Sequence, residues 1–296
     1  METVNTVIDP NFSIIMPTGC NAKCSFCFWK PKKASRDWSQ KLLQTLAKLP
    51  EQFWQISITG AEPTSDFLLL AGTLRKIKRY KHKFPKVVLT TNGYKLAKFL
   101  ADPKRYELFG QVVNHVNISR HHWKDDKNLL MFNAKPSSIP TQEELGELCS
   151  KLNTLGIDVN LNCVLHHFDF AFSPRSIYGC SSETCNQEAS SIHNMLGLVK
   201  QVNASSICFR VPSKDDSLTS KHHTEKAFID KGYKEISHSE CPVCSSTTYL
   251  IDGVRCTWKY SIPEPVDKMQ DLIYEAVFHP NGKLTADWKG ECELRF

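Results

Sequence analysis

The feature that most constrains the fold is a regular alternation of short apolar runs with longer amphipathic stretches. The short runs are typical of strands, and the longer stretches have apolar residues at the spacing typical of helices. Successive β-then-α units of this kind predict an α/β fold with a parallel sheet and helices outside it. Such a sheet keeps its functional groups at the carboxyl ends of the strands. The strand-like runs are 12–16, 54–59, 87–91, 115–119, 157–165 and 206–211, and the helical stretches are 38–49, 66–83, 94–100, 141–155 and 188–202.

Three cysteines follow the first apolar run within one short loop. Cys20, Cys24 and Cys27 are separated by three and then two residues. Thiolates this close in sequence can all reach a single metal centre. A closed structural zinc site needs four ligands, and an ordinary four-iron cluster needs four cysteines. Three cysteines without a local fourth therefore indicate a cluster with one open iron, where a substrate or cofactor can coordinate.

The pattern Cys20-x-x-x-Cys24-x-Phe26-Cys27 resembles the signature of the radical S-adenosylmethionine (radical SAM) enzymes. The resemblance implies a 4Fe-4S cluster held by the three cysteines, with SAM chelating the fourth iron. The reduced cluster then cleaves SAM to methionine and a 5′-deoxyadenosyl radical, which abstracts a hydrogen atom. The resemblance also implies a partial (β/α)6 TIM-type barrel, with which the count of strand-like runs agrees. The reducing electron would come from an external donor of flavodoxin or ferredoxin type.

The same resemblance assigns SAM contacts to residues near the strand ends. Gly60-Ala61-Glu62-Pro63 resembles the family's Gly-Gly-Glu-Pro segment, whose backbone grips the amino group of SAM, and Phe26 would help to position SAM. Alanine at the second glycine position requires a backbone conformation that avoids positive φ. Ser119, Arg120 and Asn162 fall where the family has ribose and carboxylate contacts. A guanidinium can bind that carboxylate bidentately, although Arg120 is equally compatible with a solvated position in a polar loop.

Three further polar residues fall on or beside the strand-like runs, and one of them, His121, is a candidate for the substrate side. His121 lies in a segment dense in titratable groups and is a candidate for proton chemistry. Arg210, on the sixth strand-like run, is a candidate for contact with SAM or substrate. Alternation places Asn160 on the same face as Asn162, where two inward asparagines would need hydrogen-bond partners. Outward asparagines would be solvated instead.

The chain divides into a predicted partial barrel, residues 1–211, and a small C-terminal β extension, residues 212–296. Asp252-Gly253 and Asn281-Gly282 each lie beside an apolar run. Both dipeptides are strong hairpin signals. We therefore expect two hairpins in the extension, closing the open side of the barrel.

The extension also contains a candidate second metal site. Cys241 and Cys244 form a CxxC pair, and Cys256 follows after eleven residues. The set resembles in outline the auxiliary cluster of the molybdenum-cofactor cyclase branch of the superfamily, with a different loop length. The alternatives are zinc, with Cys292 as a fourth ligand, and buried thiols that bind no metal.

Composition limits the function classes that remain. The formal net charge of +6 and the pI near 8.6 are compatible with an anionic substrate but do not require one. The twelve cysteines are not accompanied by a secretory signal or by a run of about 18 apolar residues. We expect a cytoplasmic protein without a membrane partner, in which clustered cysteines bind metal.

These observations predict a radical SAM enzyme. The basic charge, the cyclase-like tail and the lack of a peptide-type cysteine extension favour a nucleotide or other small anionic metabolite as substrate. Two alternatives stay open: a radical SAM enzyme that acts on a peptide, and a non-catalytic zinc-binding interaction module.

Overall fold

A computed structural model gives the structure of the chain. It describes residues 6–7, 11–27, 33–51, 53–164, 182–211, 233–239, 246–260, 272–273, 275–288, 290 and 292–294. The strands are β1 (Thr6–Val7), β2 (Asn11–Met16), β3 (Gln55–Gly60), β4 (Lys86–Thr91), β5 (His115–Ser119), β6 (Asp158–Val164), β7 (Ser206–Val211), β8 (Lys234–Ser239), β9 (Ser246–Ile251), β10 (Val254–Tyr260), β11 (Leu272–Ile273), β12 (Ala276–Phe278) and β13 (Leu284–Thr285). The α-helices are α1 (Trp38–Lys48), α2 (Phe67–Arg79), α3 (Leu96–Phe99), α4 (Pro103–Val112), α5 (Asp125–Phe132), α6 (Gln142–Thr154) and α7 (Ser182–Gln201).

One sheet dominates the described part of the chain. Its strand order is β13-β12-β2-β3-β4-β5-β6-β7-β10-β9-β8. The strands from β12 to β10 in this order are all parallel to their neighbours, and the antiparallel strands β13, β9 and β8 lie at the two edges. The prediction of an α/β fold with a parallel sheet is confirmed, and the sheet is open because β13 and β8 do not pair with each other.

The predicted elements and the observed ones correspond closely. The six strand-like runs are β2 to β7, and each strand from β2 to β6 is followed by a helix before the next strand. A helix after β7 would fall in residues 212–232, outside the described ranges. The spacing of Thr141 and Glu144 in the sequence predicts a capping box, and helix α6 begins with one. Thr141 and Glu144 each accept a hydrogen bond from the other's backbone N–H. None of the described helices is long and apolar enough to cross a membrane.

Two helices, α4 and α5, were not predicted from the apolar spacing. Asp102 accepts a hydrogen bond from the Arg105 backbone at the start of α4, and Pro103 occupies its first position. This combination is a helix start signal that the weak periodicity of the segment obscures.

Both predicted hairpins form, and they attach to opposite edges of the sheet. Asp252 and Gly253, both with positive φ, connect β9 to β10, which pairs with β7. The other hairpin, turned at residues 279–283, joins β12 to β13, and β12 pairs with β2. The extension therefore adds strands to both ends of the parallel sheet.

The two faces of the sheet differ in chemistry. One face is apolar and packs against the helices, which bury it in a single core. Burial of each large apolar side chain there contributes roughly 1.5–3 kcal/mol, so this face supplies most of the driving force for folding. Among the side chains of the apolar face are Phe12, Ile14, Ile56, Ile58, Val87, Leu89, Val116, Ile118, Val159, Leu161, Ile207, Phe209 and Trp258.

The opposite face, here called the polar face, carries hydrogen-bonding and charged side chains in register across the strands. Its residues alternate with those of the apolar face, as the period of a strand requires. They include Ser13, Ser57, Thr90, Asn117, Ser119, Asn160, Asn162, Ser206, Cys208, Arg210, Thr257 and Lys259.

Candidate active site

The cysteine loop, residues 17–27, leaves the carboxyl end of β2 and is held by backbone contacts to two other elements. The Glu62 N–H donates to the Gly19 carbonyl at 3.2 Å, and the Lys23 N–H donates to the Phe132 carbonyl at 2.9 Å. The first contact ties the loop to the end of β3, and the second ties it to the end of α5. The loop is therefore anchored at the edge of the sheet where the carboxyl ends of the strands meet.

The loop cysteines, Cys20, Cys24 and Cys27, differ in exposure. Cys20 and Cys27 are exposed, and Cys24 is half-buried with its thiol 3.8 Å from the Phe132 carbonyl. Partial burial raises the pKa of Cys20 and raises that of Cys24 to about 12. Charge on Glu62 and Cys27 raises the pKa of Cys20 further, and charge on Cys27 and Cys20 raises that of Cys24 further.

The donor set of this loop fits an iron–sulfur cluster. Iron–sulfur clusters are held by thiolates, and the loop offers three in one short segment. The Thr18 hydroxyl, two residues before Cys20, is buried and has no hydrogen-bond partner in the described structure, so a polar group is available beside the loop. In the described ranges no three metal-ligating side chains are yet gathered around one point. Binding would therefore require the thiols to turn toward a common centre.

Gly60 ends β3 in a conformation that only glycine adopts easily. Its φ is +113°, and an added Cβ would lie 2.8 Å from Ile15 Cγ2 and 3.1 Å from the Met16 amide nitrogen. Ala61, which replaces the family's second glycine, is not among the residues with positive φ. The departure from the Gly-Gly pattern is thus accommodated without backbone strain.

The Glu62 side chain is completely buried and fully engaged within the protein. Its carboxylate accepts hydrogen bonds from the Thr64 N–H and hydroxyl (3.0 and 2.7 Å), the Thr91 hydroxyl (2.5 Å) and the Asn92 N–H (2.7 Å). Burial raises the pKa of Glu62, and these hydrogen bonds oppose the shift. The carboxylate joins the end of β3 to the end of β4, which fixes the backbone that the sequence predicts to contact SAM.

Asn92 connects this joint to the cysteine loop. Its side-chain amide donates to Asn21 Oδ1 at 2.9 Å, and the Asn21 amide donates to the Ser138 carbonyl at 2.7 Å. Asn92 and Asn21 were not among the predicted site residues. Their only sequence signal is position, because Asn92 follows β4 and Asn21 follows the first cysteine.

Arg120 is almost completely buried, and its guanidinium stabilises the loop that follows it in the chain. The guanidinium donates to three backbone carbonyls and one carboxylate, namely His122 O (2.8 Å), Trp123 O (3.1 Å), Pro140 O (3.1 Å) and Asp125 Oδ1 (2.5 Å). Asp125 also accepts the Gln142 N–H at the start of α6. Arg120 is thus not a solvated side chain, and its contact with SAM stays a prediction that these internal bonds do not favour.

His121 is buried between two phenylalanine rings. The Phe26 ring of the cysteine loop lies edge-on to it at 4.9 Å between centroids, and the Phe132 ring lies at 4.7 Å. The Val164 N–H donates to His121 Nδ1 at 3.1 Å, so the neutral ring carries its proton on Nε2. The structure brings Phe26 and His121 together, and a catalytic role for His121 stays a prediction.

Two other candidate residues meet on the polar face. Ser119 and Asn162 are paired in the register of β5 and β6. Asn160 donates to Asn162 Oδ1 at 3.0 Å and to Asn117 Oδ1 at 3.1 Å, and it accepts the Ser206 hydroxyl at 2.9 Å. Asn160 and Asn162 therefore share one face and have the hydrogen-bond partners that an inward position requires.

The candidate second metal site falls only partly within the described structure. Cys241 and Cys244 lie outside the described residues. Cys256 is on the apolar face of β10, fully buried in the core, and burial strongly raises the pKa of its thiol. Its surroundings match those of a buried thiol without metal, and the second site stays a prediction.

The radical SAM superfamily model matches residues 14–169, more than half of the chain. The chain belongs to the radical SAM superfamily and is an enzyme of that class. Membership implies SAM and a 4Fe-4S cluster as cofactors. The alternative of a non-catalytic zinc module is therefore set aside.

Solved structures support the same fold. The structure of Streptococcus suis SuiB bound to S-adenosylmethionine is 13% identical, covers 94% of this chain and 58% of SuiB, and has a TM-score of 0.56. SuiB bound to the precursor peptide SuiA is also 13% identical, with coverage of 97% and 61% and a TM-score of 0.57. This chain thus spans about three fifths of the length of SuiB. No curated protein sequence matches this chain.

Proposed function

We propose that the loop cysteines hold a 4Fe-4S cluster and that the enzyme abstracts a hydrogen atom from a nucleotide or other small anionic metabolite. The observation that carries the proposal is the set of three cysteines in one loop at the carboxyl edge of a parallel sheet. When bound and reduced, the cluster supplies the electron that cleaves SAM to methionine and a 5′-deoxyadenosyl radical.

The cysteine loop would present its thiolates from a fixed backbone. Gly19 and Lys23 are bonded to the ends of β3 and α5, so the loop keeps its place while the exposed thiols turn toward the metal. Cys24 must lose a proton from a thiol whose pKa is raised by burial to about 12. Iron coordination compensates for that cost, since a coordinating thiol is deprotonated by the metal.

The strand ends would position SAM beside this loop. Gly60 to Pro63 offer backbone groups held by the buried Glu62 carboxylate, while Ser119 and Asn162 offer side chains on the adjoining polar face. Phe26, packed on His121, would close the side of the cofactor that faces α5. Preorganised polar groups of this kind favour one orientation of a bound cofactor and exclude water from a reactive intermediate.

The polar face supports a hydrophilic substrate. Its side chains from β2 to β10 are mainly hydroxyls, amides and cations, and those of Asn117, Asn160 and Ser206 already form one hydrogen-bonded row. Such a surface is unfavourable for an apolar ligand, because buried polar groups need partners. This supports a nucleotide or small anionic metabolite.

We propose a partial (β/α)6 barrel in residues 1–211, supported by five successive strand–helix units and a sixth strand, and an extension in residues 212–296. An external one-electron donor of flavodoxin or ferredoxin type would reduce the cluster. A cytoplasmic location stays a prediction from the sequence.

The first experiment measures iron and sulfide after anaerobic reconstitution, together with 5′-deoxyadenosine formed from SAM under reducing conditions. We expect about four irons in the wild type and none in a variant with all three loop cysteines changed to alanine. Cys149→Ala is the matched control, because Cys149 is buried in α6 away from the loop. Zinc in place of iron in the wild type would contradict the proposal.

A peptide substrate is the second candidate, favoured by the complex of SuiB with its precursor peptide. The two candidates predict different stimulation of SAM cleavage. Small phosphorylated or carboxylated metabolites should stimulate it if the first candidate is correct. Stimulation by peptide fractions alone would replace the first candidate with the second.

A further inference from the structure

Two cations lie side by side on the polar face at its carboxyl edge. Arg210 is the next-to-last residue of β7, Lys259 is the next-to-last residue of β10, and the two are directly paired in the parallel register. Their chain neighbours Phe209 and Trp258 are buried in the core on the apolar face. Because side chains alternate along a strand, Arg210 and Lys259 both project from the polar face.

Neither cation is neutralised within the described structure. The ion pairs found there involve Lys41, Arg105, Arg120, Lys200 and Lys283. The Nε atom of Arg210 is buried and has no hydrogen-bond partner. A buried donor without an acceptor is costly, and the great majority of such groups are paired in native proteins. The Arg210 guanidinium therefore has a buried N–H donor for which the described residues provide no acceptor.

One more cation lies on the same face, nearer the amino ends of the strands. Arg255 is the second residue of β10 and is paired with Ser206, the first residue of β7, four positions before Lys259 and Arg210. Arg255 adds to the positive charge of this side of the sheet, which favours an anion. At the carboxyl edge itself, the two cations are Arg210 and Lys259.

We propose that Arg210 and Lys259 form the subsite that binds an oxyanion, phosphate or carboxylate, of the substrate. The proposal rests on the proposed function, because it takes the polar face as the place where the substrate lies. A guanidinium binds two oxygens through its fixed donors, and an adjacent ammonium adds a point charge. On the same face, Asn162 and Cys208 lie two residues before this subsite. The neutral row of Asn117, Asn160 and Ser206 lies four residues before it and would contact only the far, uncharged end of an extended substrate.

Strand order favours the substrate over SAM at this subsite. In the placement proposed above, SAM reaches from the cysteine loop after β2 to Ser119 and Asn162 on β5 and β6. Arg210 and Lys259 lie on β7 and β10, one and two strands beyond β6. This position is where a second molecule beside SAM would lie.

The test measures the binding of inorganic phosphate and of acetate to the metal-free protein by equilibrium dialysis. Arg210→Gln should weaken binding about tenfold and Lys259→Met about threefold or more, as expected for charge-assisted hydrogen bonds. Arg210→Lys should restore part of the affinity, and thermal melting shows whether each variant is folded. Arg75→Gln and Lys48→Met remove the same charges from exposed helix positions and should have no effect.

The outcomes separate the alternatives. Preference for phosphate over acetate identifies a phosphorylated substrate, and the reverse preference identifies a carboxylated one. Equal binding by wild type and Arg210→Gln, or no saturable binding by wild type, overturns the proposal. So does an Arg210→Gln variant that loses affinity for SAM but keeps its affinity for phosphate. Phosphate binding by a protein that never assembles a cluster would overturn the proposed function and leave the subsite standing.

Discussion

The loop cysteines and the cysteines of the core differ in their exposure to solvent: the first lie at the carboxyl edge of the sheet and the second are buried in the core. The loop cysteines follow the carboxyl end of β2, where two of the three are exposed to solvent. Cys163 and Cys256 lie on strands of the apolar face, and Cys149 lies on α6 against that face, all within 2% of complete burial. Burial raises the pKa of all three core thiols, to about 12 for Cys149. One residue type therefore serves as a candidate metal ligand in the loop and as a small apolar side chain in the core.

The same contrast bears on the candidate second metal site, which stays a prediction. Cys256 follows a CxxC pair and matches a metal-site pattern, yet β10 places its thiol in the core. Spacing gives the number of thiols within reach of one another along the chain. Exposure decides which of them can meet a metal.

The largest expected effect is a difference in thiol alkylation. In the folded protein without metal, iodoacetamide should label Cys20 and Cys27 at least about 100-fold faster than Cys256, because a buried thiol reacts only when its strand opens. Mass spectrometry of digested samples measures the rates. In denaturant all these cysteines should react alike, and rapid labelling of Cys256 under native conditions would remove the contrast between the two sets.

The next prediction concerns the support of the cysteine loop. Arg120→Met should lower the free energy of unfolding by about 3 kcal/mol, because it leaves three backbone carbonyls without their donor. Urea denaturation measures this change. The variant should also bind iron more weakly, since the loop of Arg120 leads into α5, whose last carbonyl holds Lys23.

A matched substitution, Arg105→Met, distinguishes this role from loss of charge alone. Arg105 forms a partly exposed pair with Asp102 on α4. Its removal should change stability by less than about 1 kcal/mol and leave iron binding intact. Equal effects of the two substitutions would show that Arg120 has no special part in holding the loop.

A smaller effect is expected at the core cysteine. Cys256→Ser should lower the free energy of unfolding by about 2 kcal/mol, because it buries a hydroxyl among apolar side chains. The iron content should stay that of the wild type. If iron or zinc is lost from this variant instead, Cys256 is a ligand and the core assignment is wrong.

The smallest expected effect is the contribution of the buried base His115 to the pH dependence of stability. Burial lowers the folded-state pKa of His115 below 6.5, so the unfolded chain binds the proton more tightly. Stability contributed by the neutral ring is therefore present above pH 6.5 and is lost as the pH falls below it. His115→Asn should reduce the loss of unfolding free energy between pH 7.5 and pH 5.5, as measured by urea denaturation, and an unchanged slope would contradict the shift.

The sequence by itself determined the features that depend on neighbouring residues. The alternation of apolar runs located β2 to β7, the Thr141 and Glu144 pair located the start of α6, and two Gly-containing turns located the hairpins. The spacing of the loop cysteines identified the superfamily, which the match at residues 14–169 confirms. Each of these signals works within one turn, one strand or one loop, where chain geometry is fixed by local conformation.

Only the tertiary structure decided which distant segments meet. It placed the two hairpins at opposite edges of the sheet, joined Asn21 to Asn92, buried Arg120 under its own loop, and paired Arg210 with Lys259. These contacts depend on strand order and register, and the sequence pattern is compatible with several orders. The physical reason is that burial of the apolar face selects one arrangement of the strands, and the polar contacts on the other face follow from that choice.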